Sequence, residues 1–174
     1  MLKGYIEGYY GRLFSRDERA KVINHMGKLK MDFYLYGPKE DLYHRIEWGK
    51  TYPSKEQKTL RNLVDQCKKN KIKPIFAISP GLQSSKLSKN FIKTLTSKLK
   101  QAHQLGFKDF AIFFDDIEHK KDEELAKFHL TIINLVSSID FLKKNSLMVC
   151  PTVYCKSFAK GNIQKNEYLK VLAE

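Results

Sequence analysis

Phe110-Ala111-Ile112-Phe113-Phe114-Asp115-Asp116 is the stretch whose reading decides the fold. It is an apolar run of β type that stops abruptly on two adjacent carboxylates. Two negative charges at the edge of a dry core repel each other, which favours keeping one carboxyl protonated while the other ionises. Acid–base chemistry at a glycosidic bond needs that condition. Taken alone, the pair leaves other uses open, since it could cap the following helix or bind a cation.

Outward from this run the chain alternates. Short β-like runs stand at Gly4–Glu7, Phe33–Tyr36, Pro74–Ser79, Phe110–Phe114 and Leu147–Cys150, with helical periodicity between them. The first helix opens with Ser15-x-x-Glu18, a capping box, and carries Val22, Ile23, Met26 and Leu29 on one face. The second opens at Ser54-x-x-Gln57 and carries Leu60, Leu63, Val64 and Cys67. The third carries Ile92, Leu95, Leu99 and Ala102, with Gly106 placed to end it. The fourth starts near Asp122 and carries Leu125, Phe128, Ile132, Leu135, Val136 and Ile139. Repeated strand–helix–strand units mean a parallel sheet. The strands are apolar throughout, which predicts that both faces are covered.

Each strand ends in polar or turn-forming residues: Glu7-Gly8-Tyr9-Tyr10-Gly11-Arg12, Gly37-Pro38-Lys39-Glu40-Asp41, Ser79-Pro80-Gly81, Asp115-Asp116 and Pro151-Thr152-Val153-Tyr154. In a (β/α)8 barrel of the TIM type, strand C-termini converge on the active face and catalytic groups come from several of them. A doubly wound open sheet also binds ligands beyond its strand C-termini. Against it, the first strand-to-helix turn lacks the glycine-rich phosphate pattern, since Gly8 and Gly11 are separated by two tyrosines.

Composition narrows the class. The 174 residues suffice for one domain with a sizeable core. No apolar stretch approaches the roughly 20 residues of a membrane span. Met1-Leu2-Lys3 leads at once into the first strand, so no leader is read, and the expectation is a cytoplasmic protein with no membrane partner. Cys67, Cys150 and Cys155 do not form a disulfide framework or complete a zinc site, so no metal or cofactor is expected. The net charge of +13 raises a nucleic-acid-binding domain as one alternative. The lysines, among them Lys28, Lys30, Lys55, Lys58, Lys68, Lys69, Lys71, Lys98 and Lys100, are spread over every helix without an aromatic stripe. They read as solvated helix faces, with no nucleic-acid partner.

The run Gly4-Tyr5-Ile6-Glu7-Gly8-Tyr9-Tyr10-Gly11-Arg12 resembles the opening strand of glycoside hydrolase family 84, which contains protein O-GlcNAcases and bacterial β-N-acetylglucosaminidases, some named hyaluronidases. The resemblance continues in order through Tyr34-Leu35-Tyr36-Gly37-Pro38-Lys39-Glu40-Asp41, His44-Arg45, Trp48 and Tyr52. It goes on through Ala77-Ile78-Ser79-Pro80-Gly81, Phe113-Phe114-Asp115-Asp116-Ile117 and Cys150-Pro151-Thr152-Val153-Tyr154-Cys155. These motifs cover the chain from about Gly4 to Tyr154.

The resemblance implies a substrate-assisted, retaining β-N-acetylglucosaminidase. The substrate's own acetamido oxygen attacks the anomeric carbon to give an oxazoline, so no enzyme nucleophile is needed. By the same resemblance Asp115 polarises the acetamido N–H and Asp116 is the general acid and base. Gly8 matches the glycine whose backbone approaches the sugar, Lys39 the lysine that bonds a sugar hydroxyl, and Tyr154 the tyrosine lining the acetamido and leaving-group region. From the residues alone, Lys39 reads as a surface lysine and Tyr154 as a rim aromatic. Tyr9 and Tyr10 are pocket walls or packing, His119 is a loop histidine or one that orients a carboxylate, and His44-Arg45 makes structural polar contacts. The implied partner is a glycan or glycoprotein carrying terminal N-acetylglucosamine.

The chain also departs from the family pattern. Gly37 and Glu40 stand where Ala and Asp are commoner, and Val153 replaces a usual Glu. The strand count gives five of eight barrel strands, with Gln164–Glu174 as the start of a fifth helix. Residues 1–174 are therefore expected to be the N-terminal portion of a catalytic barrel, as one incomplete domain. A partner chain or further sequence would complete the barrel, and the chain alone would have little activity. A non-catalytic N-acetylglucosamine-binding remnant is the other reading the resemblance leaves.

Overall fold

A computed structural model describes residues 1–80, 87–115, 122–144 and 146–173. The elements run β1 (Gly4–Glu7), α1 (Arg16–Lys28), β2 (Phe33–Tyr36), α2 (Ser54–Lys69), β3 (Lys73–Ile78), α3 (Lys89–Gln104), β4 (Asp109–Phe113), α4 (Glu123–Ser137), β5 (Leu147–Cys150) and α5 (Glu167–Leu172). The sheet order is β1-β2-β3-β4-β5 and every pairing is parallel. Five βα units thus make a half-barrel of the (β/α)8 type, as the alternation predicts. β3 and β4 each begin and end one residue earlier than their apolar runs suggest. Ser79 leaves the ladder because its N–H donates to the His44 carbonyl at 3.2 Å.

Local chemistry explains the helix starts. Ser15 Oγ accepts from the Glu18 amide and Glu18 returns the bond to the Ser15 N–H, so the capping box forms. At α2 it does not. Ser54 is already helical, Pro53 occupies the cap without a side-chain bond, and Gln57 Nε2 donates to the Tyr52 carbonyl at 2.8 Å. Ser88 caps α3 and Asp122 caps α4. Gly106, at φ +109°, takes the left-handed turn that closes α3.

Strand residues alternate between two apolar layers. The outer layer joins Tyr34, Phe76, Phe110 and Ile112 to Ile23, Leu63, Val64, Leu95, Leu99 and Ile132 on the helices. The inner layer is Leu35, Ile75, Ala77, Ala111 and Phe113, the small filling of a barrel interior. The expectation that both faces are covered holds in the middle of the sheet only. Ile6, between outward-facing Tyr5 and Glu7, is 52% exposed, and all of β5 is half-buried.

The helix faces also need correction. Leu29 is an exposed C-cap, and the buried face of α1 is Arg19, Ile23 and Met26. On α3 the buried positions are Phe91, Leu95, Lys98, Leu99 and Ala102, with Ile92 displaced to the flank. Lys98 is 1% exposed, so it does not belong to a solvated face. Leu135 is only half-buried, and Ile139 lies beyond the end of α4. Cys67 is a buried free thiol, which burial pushes up to about 12. Among the described residues no helix is long and apolar enough to cross a membrane, and no group of three His, Cys, Asp or Glu side chains could hold a metal ion.

Candidate active site

The chemistry-bearing residues gather beyond the C-terminal ends of β1, β2 and β4. Past the strands, the backbone keeps β1 and β2 together: Gly37 N–H donates to the Glu7 carbonyl at 3.1 Å and Lys39 N–H to the Tyr9 carbonyl at 3.3 Å. This carries Lys39 over the mouth of the half-barrel. Its ammonium lies 2.5 Å from Asp115 Oδ2, with the lysine side chain 3% exposed and the aspartate 18%. The other carboxylate oxygen, Asp115 Oδ1, is buried and accepts no hydrogen bond among the described residues. A buried acceptor left without a donor costs about 1–3 kcal/mol, so this oxygen is suited to receive a donor from a ligand.

Phe113 forms the floor. Lys39 Nζ lies 5.6 Å from its ring centroid, and the buried His44 ring meets it edge-on at 6.0 Å. His44 Nδ1 sits 2.9 Å from the Ala77 carbonyl, so Nδ1 carries the proton and Nε2 accepts from Ser79 Oγ at 3.3 Å. Burial lowers the imidazole to about 4, and the nearby Lys39 charge acts in the same direction. Gly37 and Gly8 abut the same ring. A Cβ on Gly37 would lie 2.9 Å from both Ala77 Cβ and Phe113 Cε2, while one on Gly8 would meet Ile6 Cγ2 at 3.0 Å. Both glycines keep the mouth open.

The Lys39 turn is pinned from behind by Asp41. Asp41 Oδ2 accepts from Tyr36 Oη at 2.6 Å and Tyr52 Oη at 2.8 Å, Oδ1 accepts from the Tyr43 amide, and Asp41 N–H donates to the Pro38 carbonyl.

Of the residues singled out from sequence, Gly8, Lys39 and Asp115 therefore converge. Tyr154 stands at the end of the adjacent strand, half-exposed and edge-on to Phe158 at 5.0 Å. Asp116, Gly81 and His119 lie outside the described residues. Lys39 is buried rather than a surface lysine. Tyr9 packs on Phe14, and Arg45 stacks over exposed Tyr10, so both tyrosines have packing partners.

The site presents an ammonium donor and a carboxylate with one oxygen unpartnered among the described residues, on an aromatic floor. The sequence of residues 3–174 matches the family described as beta-N-acetylglucosaminidase. The chain belongs to that family. Over 99% of its length it is 33% identical to the protein O-GlcNAcase of Mus musculus and 32% identical to that of Rattus norvegicus. It spans 20% of the length of either relative. The solved structure of CpGH84B superposes with a TM-score of 0.82 at 29% identity, covering 98% of this chain and 31% of that one. The β-N-acetylglucosaminidase resemblance read from the motifs is thus shown over nearly the whole chain.

Sequence reasoning missed three parts of this candidate site. Phe113 read as core, yet its ring is the floor. His44 read as a generic polar contact, yet it braces that floor. Asp41 read only as part of the second strand end, with no role of its own, although an aspartate two residues after Lys39 with tyrosines at 36, 43 and 52 is the signal of a buried anchor.

Proposed function

We propose that this chain carries the acetamido- and hydroxyl-binding side of a β-N-acetylglucosaminidase pocket that removes terminal N-acetylglucosamine from glycoproteins or glycans by substrate-assisted, retaining hydrolysis. The observation behind the proposal is the divided carboxylate of Asp115, with one oxygen on Lys39 and the other buried and without a donor among the described residues. The open oxygen accepts the substrate's acetamido N–H and stabilises the positive charge that develops there. The acetamido oxygen then bonds to the anomeric carbon as the glycosidic bond breaks, and Asp116 gives its proton to the leaving oxygen. Water adds to the anomeric carbon of the oxazoline, Asp116 takes its proton, and the acetamide is restored. Lys39 donates to a sugar hydroxyl, Gly8 lets the backbone approach the ring, and Tyr154 lines the acetamido end. The glycoprotein substrate is supported by the names of the mouse and rat relatives, both protein O-GlcNAcases.

Calorimetry with an oxazoline-mimicking inhibitor, beside an aryl N-acetylglucosaminide assay, tests this. The chain should bind the inhibitor. Asp115→Asn should weaken binding by about 10- to 100-fold, the worth of a hydrogen bond to a charged group. Any turnover should vanish in Asp116→Asn. No binding by the unmodified chain overturns the reading, and binding without turnover leaves a sugar-binding module in place of a hydrolase.

A further inference from the structure

Lys98 has no part in the chemistry above, yet it is among the most buried polar groups of the chain. It lies on the apolar stripe of α3, and its stem crosses to the far end of the β2–α2 segment. There its ammonium donates to the Lys50 carbonyl at 2.5 Å and sits over two tyrosine rings, 3.9 Å from the Tyr52 centroid and 5.5 Å from that of Tyr43. Among the described residues no carboxylate contacts it, and burial pulls the amine down to about 7, opposed by the Asp41 charge. A lysine held this way is costly, and a methionine of similar length would fill the space without the cost.

What the ammonium touches suggests why it is there. One turn further along α3, Gln101 bonds Tyr52 twice, accepting from its N–H at 2.8 Å and donating to its carbonyl at 3.1 Å. Tyr52 in turn donates its hydroxyl to Asp41, the residue that closes the Lys39 turn. Lys98 fixes the ring of Tyr52 while Gln101 fixes its backbone. Contacts therefore run without a break from α3 through Tyr52 and Asp41 to the ion pair of Lys39 and Asp115.

We propose that Lys98 is a positioning residue for Lys39, clamping Tyr52 so that Asp41 holds the Lys39 turn over the mouth of the half-barrel. The role in sugar binding rests on the functional reading given above; the clamp itself does not. A cation over an aromatic ring offers a preferred distance as well as attraction, so the charge specifies where Tyr52 sits, which an apolar side chain would leave looser.

The test is a double-mutant cycle of Lys98→Met and Lys39→Met, read by the dissociation constant of an oxazoline-mimicking inhibitor, with amide hydrogen exchange measured on the same proteins. Lys98→Met should fold, weaken binding about tenfold, and speed exchange across residues 38–52. Lys98→Arg, which keeps the donor and the ring contact, should restore both. In the Lys39→Met background the Lys98→Met loss should disappear, because a residue acting through Lys39 has nothing left to position. A loss of the same size in both backgrounds overturns the proposal. So does a Lys98→Met protein whose exchange at residues 38–41 matches the parent. If the parent binds no inhibitor, the glycosidase reading fails, and exchange at residues 38–41 still decides whether Lys98 clamps the turn.

Discussion

Two ion pairs, one buried and one part-buried, sit at opposite faces of the same sheet, and they are built differently. On the outer face Arg19 reaches Glu7 by Nε at 2.9 Å and Nη2 at 2.8 Å, the Tyr34 hydroxyl donates to the same carboxylate, and the guanidinium lies 5.1 Å above the Tyr36 ring. Every oxygen of Glu7 is engaged, and both side chains are nearly dry. At the inner rim Lys39 engages one oxygen of Asp115 and the second accepts no hydrogen bond among the described residues. The closed pair ties α1 to β1 and β2. The open pair keeps a buried acceptor unspent at the place where strand ends converge. Completeness of the partner set, more than burial, separates a structural ion pair from one available to a ligand.

That contrast can be broken by experiment. Arg19→Met leaves Glu7 charged, buried and unpaired, so it should lower unfolding free energy by about 3–5 kcal/mol; denaturant titration measures it. A loss under 1 kcal/mol would remove the structural role assigned to the closed pair. A second effect lies beneath the open pair. His44 stays neutral in the fold down to about 4, whereas in the unfolded chain it titrates near 6.5. Between those values the unfolded state binds the extra proton, so stability falls as pH drops from 6.5 to 4, by up to about 3 kcal/mol. His44→Gln should flatten that part of the stability curve relative to the parent, and parallel curves would show the imidazole is not buried neutral. The smallest effect belongs to Asp115→Asn. Its amide oxygen still accepts from Lys39 at a partly exposed position, so thermal and denaturant unfolding should shift by only about 1 kcal/mol. An Asp115→Asn protein as unstable as Arg19→Met would erase the distinction.

Much of this was legible along the chain. β1, β2 and β5 coincide with their apolar runs because each run is short and bounded by glycine, proline or charge. The convergence of Gly8, Lys39 and Asp115 follows from strand ends in a parallel barrel. The buried charges were harder, because a charge pattern says only which residues carry charge and not which way they point. Yet the period held the information. Lys98 falls on the stripe Phe91, Leu95, Lys98, Ala102, and Arg19 on the stripe Arg19, Ile23, Met26. Each is a charge at a core position of its helix, so each needed a partner across the interface. Who the partners are depends on the packing of distant segments, Tyr52 on α3 and Glu7 on α1, which local spacing does not contain.

The order of the sheet has a consequence for how the protein is made. Every strand pairs with the strand next to it in the chain: Gly4 with Phe33, Phe33 with Lys73, Ile75 with Asp109, Phe110 with Leu147. Among the described residues, each of these pairings joins strands that are neighbours in sequence. As the ribosome releases each new strand–helix unit, the preceding strand already offers it an edge, and the half-barrel can grow one unit at a time in the direction of synthesis.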